Sequence, residues 1–319
     1  MTLIIAMRSG PGTGVACADR YITYTESSER KLEYKARKIN HLGGSYFVGF
    51  AGSLGYAERI IYATKHELTA SDPEFRNTSY QDVVSTLTRR YDDLWESIVA
   101  DHVRKTLGIN WADYKLGKLP KEHEERVVNI LSTERENPKL FDVDLIICGI
   151  EKNGIGEQRD FAITTYKSHG GIDFHKYTDA IGITDMADIA TSEFLEDIPP
   201  RQPYIGLASC AYAVMEAKKK AERRNPGIGR RGQLVWIDES GNFHETSERE
   251  TNFLGALIEF NYNMPGVVTY DHVYRAFEDI VEKARTKDDR SKATDQAFET
   301  FKNLISPEVL YRYMFFDDH

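Results

Sequence analysis

The sequence has little cysteine and no apolar run long enough to cross a membrane. Its three cysteines, Cys17, Cys148 and Cys210, are widely spaced in apolar surroundings, which favours buried free thiols in a reducing cytosol over disulfides. A helix that spans a bilayer needs about 20 consecutive apolar residues, and no segment approaches that length. The N-terminus also lacks the basic segment and the apolar stretch of a secretory signal. We therefore expect a cytoplasmic protein with no membrane partner.

The sequence also lacks an excess of basic residues. The formal net charge is −9, which argues against a general nucleic-acid-binding protein, because such proteins present basic surfaces. What is present is an ordinary globular composition: 41% of the 319 residues are hydrophobic and 29% are charged. This length and apolar content predict one or two domains with a large core.

The most informative stretch runs from the N-terminus to Gly52. Two apolar runs, Leu3–Met7 and Val15–Ala18, flank a turn rich in glycine and proline, a pattern that predicts a β-hairpin. Asp19 follows the second run, and a third strand is predicted to open at Lys38 and Ile39. A fourth strand is predicted to end at Gly52.

This stretch resembles the proteasome β-subunit family of N-terminal-nucleophile (Ntn) hydrolases. The shared features are a threonine after Met1, an Asp-Arg-x-x-Thr at Asp19–Thr23, Lys-Ile before the third strand, and Gly-Phe-Ala-Gly before a helix. Each feature is weak alone, but their order and spacing are specific together, because the family's catalytic set lies on these strands. The resemblance implies an α+β fold, a four-layer αββα sandwich. It also implies a catalytic set made of Thr2, Asp19, Lys38 and Gly52.

The chemistry of these residue types agrees with that set. A threonine hydroxyl is a weak nucleophile unless a base removes its proton, and a free α-amino group, with a pKa of about 7.7–8.0, can be that base. Thr2 would supply both groups once Met1 is removed. A Lys38 ammonium would lower the pKa of the Thr2 hydroxyl and amine, and Asp19 would hold Lys38 charged and oriented. The backbone N–H of Gly52 would stabilise the oxyanion.

Each of these residues also has an ordinary structural interpretation. Asp-Arg after a strand is typical of a solvated turn, and Gly52 is typical of a turn between a strand and a helix. Lys35 competes with Lys38 for the catalytic role. We favour Lys38 because it directly precedes the apolar strand residue Ile39.

The resemblance also implies a substrate-binding pocket. Phe50 and Leu54 would line the pocket for the residue before the cleaved bond, with Ile22 and Ala36 on its sides. Because Phe50 is bulky, we predict a shallow apolar pocket that prefers small or modest neutral side chains.

Downstream of Gly52 the sequence predicts alternating blocks of helices and strands. Helices are predicted at about 53–68, 79–108, 184–196 and 204–223. Strands are predicted at 143–150, 159–166, 177–183, 233–237 and 243–245. This order fits two sheets packed between helical layers.

Two further segments are predicted to be helical additions. Residues 109–140 form an insertion with a short helix at 121–131, and the region after 245 contains helices at 251–260, 270–285 and 294–304, with a charged linker at 287–291. We therefore predict an Ntn hydrolase domain at 1–245, with the insertion at about 109–140, and a C-terminal helical extension at 246–319.

Two supporting positions of the family pattern are missing. Active members carry Gly-Ser-Gly where this chain has Gly182-Ile-Thr-Asp, so that Ile183 replaces the serine, with Thr184 or Asp185 as the remaining substitutes. The family's Asp-x-x-Ser has no counterpart near 224–227, where Asn225 is a partial substitute. These losses leave open an altered reaction, such as transpeptidation or a narrow amidase activity, and also a loss of activity.

We expect a self-processed threonine peptidase of the proteasome β type that cleaves peptides or unfolded protein. It would need no metal or organic cofactor and would form a homo-oligomer, which is a ring in that family. Two clusters have metal-binding residue types. The cluster at 122–125 is better explained as a charged, solvated helix face. The set His169, Asp173 and His175 lies in and beside a strand-like run with no further ligand nearby, which disfavours a metal site. Two alternatives stay open: another Ntn amidase or peptide ligase that uses Thr2, and a catalytically inactive scaffold subunit.

Overall fold

The computed structural model describes residues 2–26, 30–136, 140–153, 158–168, 171–175, 177–182, 205–225, 228–229 and 231–314. Its strands are β1 (Leu3–Gly10), β2 (Thr13–Asp19), β3 (Tyr21–Glu26), β4 (Arg30–Lys35), β5 (Ile39–Gly43), β6 (Tyr46–Gly52), β7 (Val143–Asn153), β8 (Gln158–Tyr166), β9 (Ile172–His175), β10 (Thr178–Gly182), β11 (Gly232–Ile237) and β12 (Phe243–Glu245). Its α-helices are α1 (Leu54–Ser71), α2 (Tyr80–Leu107), α3 (Trp111–Lys115), α4 (Lys121–Glu136), α5 (Leu207–Arg224), α6 (Glu248–Asn263), α7 (Tyr270–Phe277), α8 (Lys287–Lys302) and α9 (Pro307–Met314). A π-helical segment, Glu278–Lys283, follows α7 directly. Within these ranges, no helix is long and apolar enough to cross a membrane.

The strands form two five-stranded antiparallel sheets and a separate hairpin. Sheet one has the order β10-β1-β2-β11-β12, and sheet two has the order β5-β6-β7-β8-β9. The predicted first hairpin is confirmed, with Ile5 of β1 opposite Cys17 of β2. The hairpin of β3 and β4 was not predicted, because its second strand is dominated by charged residues rather than by an apolar run.

The alternation of side chains along β1 explains the layers. Leu3, Ile5 and Met7 face the core that sheet one shares with the C-terminal helices, whereas Ile4 and Ala6 face the core between the two sheets. All five are completely buried, because β1 is covered on both faces. A strand of this kind has a continuous apolar run in place of alternating polarity.

Three apolar clusters stack in the order that a layered α+β protein requires. One cluster joins sheet one to α5, α6 and the helices that follow. The second lies between the two sheets, and the third joins sheet two to α1 and α2. The predicted α+β class is therefore confirmed, and the arrangement is compatible with a sandwich of two sheets between helical layers.

Helix ends agree with the sequence in one case and correct it in another. The Ser79 side chain accepts a hydrogen bond from Asp82 N, and Gly108 caps the end of α2 in the left-handed conformation, which agrees with the helix predicted at 79–108. The charged linker predicted at 287–291 is wrong, because these residues form the first turns of α8. Thr286 and Asp289 make a capping box there, and acidic residues in the first turn stabilise a helix by interacting favourably with its dipole.

The C-terminal helices pack into the same core as sheet one. Phe253 of α6, Phe298 of α8 and Leu310 of α9 belong to the cluster that contains Leu3 of β1. The division at 245 between a catalytic domain and an extension stays a prediction.

Candidate active site

The termini of three neighbouring strands lie side by side at one end of sheet one. Thr2 directly precedes β1, Asp19 ends β2, and Gly232 begins β11 opposite Asp19. Antiparallel pairing brings these ends together, because each strand runs opposite to its neighbour. Thr2 is half-buried, and the Asp19 side chain is fully buried.

Lys38 links Thr2 to Asp19. Its Nζ donates hydrogen bonds to Thr2 Oγ1 at 3.0 Å and to Asp19 Oδ2 at 2.8 Å. The side chains of Lys38 and Asp19 are both 0% exposed. Asp19 Oδ1 also accepts a hydrogen bond from Leu3 N at 2.8 Å, so that one carboxylate holds both the lysine and the start of β1. The structure brings three residues of the predicted catalytic set together, and their catalytic roles stay predictions.

Burial and charge act on Lys38 in opposite directions. Burial lowers the pKa of Lys38 because it disfavours the charged form, whereas the Asp19 carboxylate and its hydrogen bond raise that pKa, and burial prevails. The Lys38 side chain is 0% exposed, and a hydrogen bond from an ammonium to Thr2 Oγ1 is electrostatically stronger in the protein interior than in water.

The Lys38 backbone is held from both sheets. Its carbonyl accepts a hydrogen bond from Phe50 N of β6 at 3.1 Å. Oε1 of Gln233 on β11 accepts from Lys38 N at 3.1 Å and from Ile39 N at 3.0 Å. Gln233 Nε2 donates to Ile39 O at 2.8 Å and to Glu245 Oε1 at 2.9 Å. Gln233 is fully buried and connects the two sheets at the start of β5, directly after Lys38.

The sequence pattern does not indicate a role for Gln233. The available signal is one amide side chain at the start of an otherwise apolar strand. A buried amide needs hydrogen-bond partners, and its backbone partners Ile39 and Lys38 lie 194 and 195 positions away in the chain, where no local pattern reveals them.

Gly182 fixes the backbone of Thr2 from the opposite side. It pairs with Leu3 at the end of β10 and has a φ angle of +91°. A Cβ atom at Gly182 would lie 2.0 Å from Thr2 O, so only glycine fits this contact. The next three residues, where the family's serine is missing, lie outside the described residues.

Gly52 ends β6, and Ser53, the N-cap residue of α1, follows it. It has a φ angle of +90°, and a Cβ atom there would lie 2.2 Å from Asp142 O. This geometry accounts for the glycine as a turn between a strand and a helix. Its role as an oxyanion donor stays a prediction.

Two of the four predicted pocket residues, Phe50 and Leu54, lie at the end of β6 and the start of α1. Phe50 is 1% exposed and packs in the cluster between sheet two and the helices α1 and α2. Leu54, in the first turn of α1, is half-buried against the same cluster. Ala36 is half-buried two residues before Lys38, and the side chain of Ile22 lies outside the described part of the chain. The pocket itself stays a prediction.

Gly229, between α5 and β11, reaches the site through its backbone. Gly229 N donates to Asp19 Oδ2 at 3.4 Å. Gly229 lies two positions after 224–227, where the sequence lacks the family's Asp-x-x-Ser. A backbone donor cannot be identified from residue types.

No group of three or more His, Cys, Asp or Glu side chains with metal-binding geometry occurs among the residues that the structure describes. His169, which the sequence analysis considered together with Asp173 and His175, lies outside those residues. His175 Nε2 instead lies 2.7 Å from Asp179 Oδ2.

Comparison with known proteins shows the fold. No protein-family model matches the chain, and no curated protein matches it. The chain resembles the solved structure of Anbu (ancestral beta-subunit) from Yersinia bercovieri, with a TM-score of 0.52 and 14% sequence identity. The match covers 84% of this chain and 97% of that chain. At this identity the likeness shows the fold that the two chains share and not a common activity.

The assignment to the proteasome β-subunit family is therefore wrong. It rested on short motifs before Gly52, which constrain the neighbourhood of Thr2 but leave most of the chain untested. No family model supports it, and the similarity found is to Anbu at 14% identity.

Proposed function

We propose that the chain is a threonine-type peptidase that cleaves peptide bonds with Thr2 after removal of Met1. One observation supports this above all others: Lys38 Nζ lies 3.0 Å from Thr2 Oγ1 and 2.8 Å from Asp19 Oδ2 within a buried pair. Few structural roles require a buried lysine to donate to a half-buried hydroxyl at the chain's first residues.

In the first half of the reaction, Thr2 Oγ1 attacks the peptide carbonyl while its proton moves to the free α-amine of the same residue. The Lys38 ammonium favours this step because it stabilises negative charge on the attacking oxygen. The tetrahedral oxyanion accepts a hydrogen bond from the Gly52 N–H. The C–N bond then breaks, and the leaving amine takes the proton from the Thr2 ammonium.

In the second half, water attacks the ester between Thr2 and the acyl fragment. The Thr2 α-amine accepts a proton from that water and returns it to Oγ1 as the ester bond breaks. The products are a carboxylate peptide and the free enzyme, and each residue ends in the state in which it began. If a peptide amine replaces water at this step, the same site becomes a ligase.

We further propose that the chain assembles with copies of itself. The supporting observation is that the protein whose fold it shares is described as an ancestral beta-subunit. Light scattering after size-exclusion chromatography should give a mass of at least twice the chain mass of 36.4 kDa, and the mass of a single chain would contradict assembly.

Hydrolysis of fluorogenic peptides with small neutral residues before the cleaved bond tests the proposal. We expect activity in the wild type, loss in Thr2→Ala and Lys38→Met, and partial retention in Thr2→Ser, which keeps a hydroxyl. Lys65→Met is the matched lysine control, because the Lys65 ammonium binds only an exposed carbonyl, His41 O, in the contacts described. Equal activity in the wild type and Thr2→Ala would refute the proposal. Product formation only with an added amine would favour the ligase.

A further inference from the structure

A second buried lysine, Lys218, lies behind the Asp19–Lys38 pair. It belongs to α5, and its side chain is 3% exposed. Its Nζ donates to Gly229 O at 3.0 Å and forms an ion pair with Glu222, whose side chain is 8% exposed. Lys218 thus connects α5 to Gly229, which lies between α5 and β11.

Gly229 continues this network into the candidate active site. Its N–H donates to Asp19 Oδ2 at 3.4 Å, and the same oxygen accepts from Lys38 Nζ at 2.8 Å. Lys218 therefore holds the carbonyl of Gly229, and the amide of that residue holds Asp19. The connected residues, in order, are Glu222, Lys218, Gly229, Asp19, Lys38 and Thr2.

Stability alone does not account for a charge at this position. Burial of an ammonium and a carboxylate has a large desolvation cost, so that a buried ion pair adds little stability relative to apolar side chains. Position 218 lies on the buried stripe of α5 with Ala211, Val214, Met215 and Ala221. A hydrocarbon side chain would suit that stripe, which indicates that the charge itself has a local use.

The Lys218 charge acts on the residues of the site. Burial lowers the pKa of Lys38, Asp19 opposes this, and the Lys218 ammonium lowers the pKa further. Burial also acts to lower the pKa of Lys218, but Glu222, with contributions from Cys17 and Asp19, outweighs it and raises that pKa. Lys218 therefore remains a cation beside the Asp19 carboxylate.

We propose that Lys218 is a positioning residue for the threonine nucleophile, because it holds Gly229 and Gly229 in turn holds Asp19. The inference rests on the proposed function, because it assigns to Lys218 the support of the same catalytic residues. Lys218 touches neither Thr2 nor a substrate in this account.

The test measures how fast a threonine-directed epoxyketone modifies Thr2, by intact mass, as a function of pH. We expect Lys218→Met to lower the plateau rate by about tenfold to a hundredfold, the scale of a ~1 Å misplacement of a catalytic group. Without the Lys218 cation the pKa of Lys38 rises, so the alkaline limit of the reaction should move to higher pH. Lys218→Arg keeps the charge and donors and should restore both the rate and the limit.

Lys219→Met is the matched control, because Lys219 is the next residue and its Nζ binds the same Glu222 carboxylate at 2.9 Å. We expect it to stay close to the wild type. If Lys218→Met does not fold, Lys218→Gln removes the charge, keeps a donor and takes its place.

Three results would overturn the inference. These are a Lys218→Met protein with the wild-type rate and pH limit, equal losses in Lys219→Met, and a lower plateau that Lys218→Arg does not restore. A wild type that forms no adduct at any pH would instead refute the proposed function, and this inference would fail with it.

Discussion

Replacement of Asp19 by asparagine should show how strongly the free energy of unfolding depends on the counter-ion of the buried Lys38. The asparagine side chain is isosteric with aspartate and can still accept the hydrogen bond from Leu3 N, which Asp19 Oδ1 accepts at 2.8 Å. It cannot neutralise Lys38, whose side chain is 0% exposed. Lys38 must then either stay charged without its counter-ion or lose its proton.

The loss of the proton sets an upper limit on the destabilisation. A lysine with an unfolded-state pKa of about 10.4 costs about 1.36 kcal/mol per pH unit to neutralise, hence about 4 kcal/mol at pH 7.5. Breaking a buried ion pair generally costs about 3–5 kcal/mol. We therefore expect Asp19→Asn to lower the free energy of unfolding by about 3–4 kcal/mol at pH 7.5.

The pH dependence has a definite sign. In Asp19→Asn the folded-state pKa of Lys38 falls further below its unfolded value, so the unfolded state binds more protons and stability rises with pH. The deficit should shrink to about 1 kcal/mol at pH 9.5. Urea unfolding followed by tryptophan fluorescence at both pH values measures it.

Two variants control this experiment. Asp160→Asn removes the ion pair between Arg8 and Asp160, whose side chains are 18% and 26% exposed respectively. This change should lower the free energy of unfolding by less than about 1 kcal/mol. The double variant Asp19→Asn/Lys38→Met removes both buried charges and should recover most of the stability while remaining inactive. An Asp19→Asn protein within about 0.5 kcal/mol of the wild type at pH 7.5 would refute the reasoning.

Three further predictions follow from the same geometry. Gly182→Ala should prevent modification of Thr2 by an epoxyketone, because a Cβ atom at this position would lie 2.0 Å from Thr2 O. Gly55→Ala should still be modified, because no atom lies within 4 Å of a Cβ atom there. Equal modification of the two variants would show that Gly182 does not contribute to the site. Phe50→Gly should broaden the preference of the pocket toward larger side chains in a peptide library, and an unchanged preference would show that Phe50 does not line it. The Cys17 thiol is buried, which raises its pKa to about 12, so iodoacetamide at pH 8 should label it only after unfolding in urea; rapid labelling of the folded protein would contradict this.

The candidate site could be predicted in part. The grouping of Thr2, Asp19 and Lys38 was implied by the family resemblance, and the structure brings these three side chains together. Antiparallel pairing within sheet one explains why Thr2 and Asp19 are neighbours, whereas Lys38 reaches them from sheet two. The cap at Ser79 and the left-handed Gly108 follow from residue types at fixed offsets along one helix.

The supporting residues could not be predicted in the same way. Gln233 and Gly229 act on residues 194 to 210 positions away, through one amide side chain and one backbone N–H. Lys218 left a weak signal, a lysine on an otherwise apolar helical stripe, but its partners depend on how α5 packs on sheet one. The family assignment failed for a related reason, because short motifs report on a site and not on a whole chain.

The most direct test of the account is the intact mass of the purified protein, before and after treatment with a threonine-directed epoxyketone. The account predicts loss of Met1 and a single covalent adduct, with no adduct in Thr2→Ala. Retained Met1 with no adduct would contradict a live N-terminal nucleophile and favour the inactive scaffold subunit.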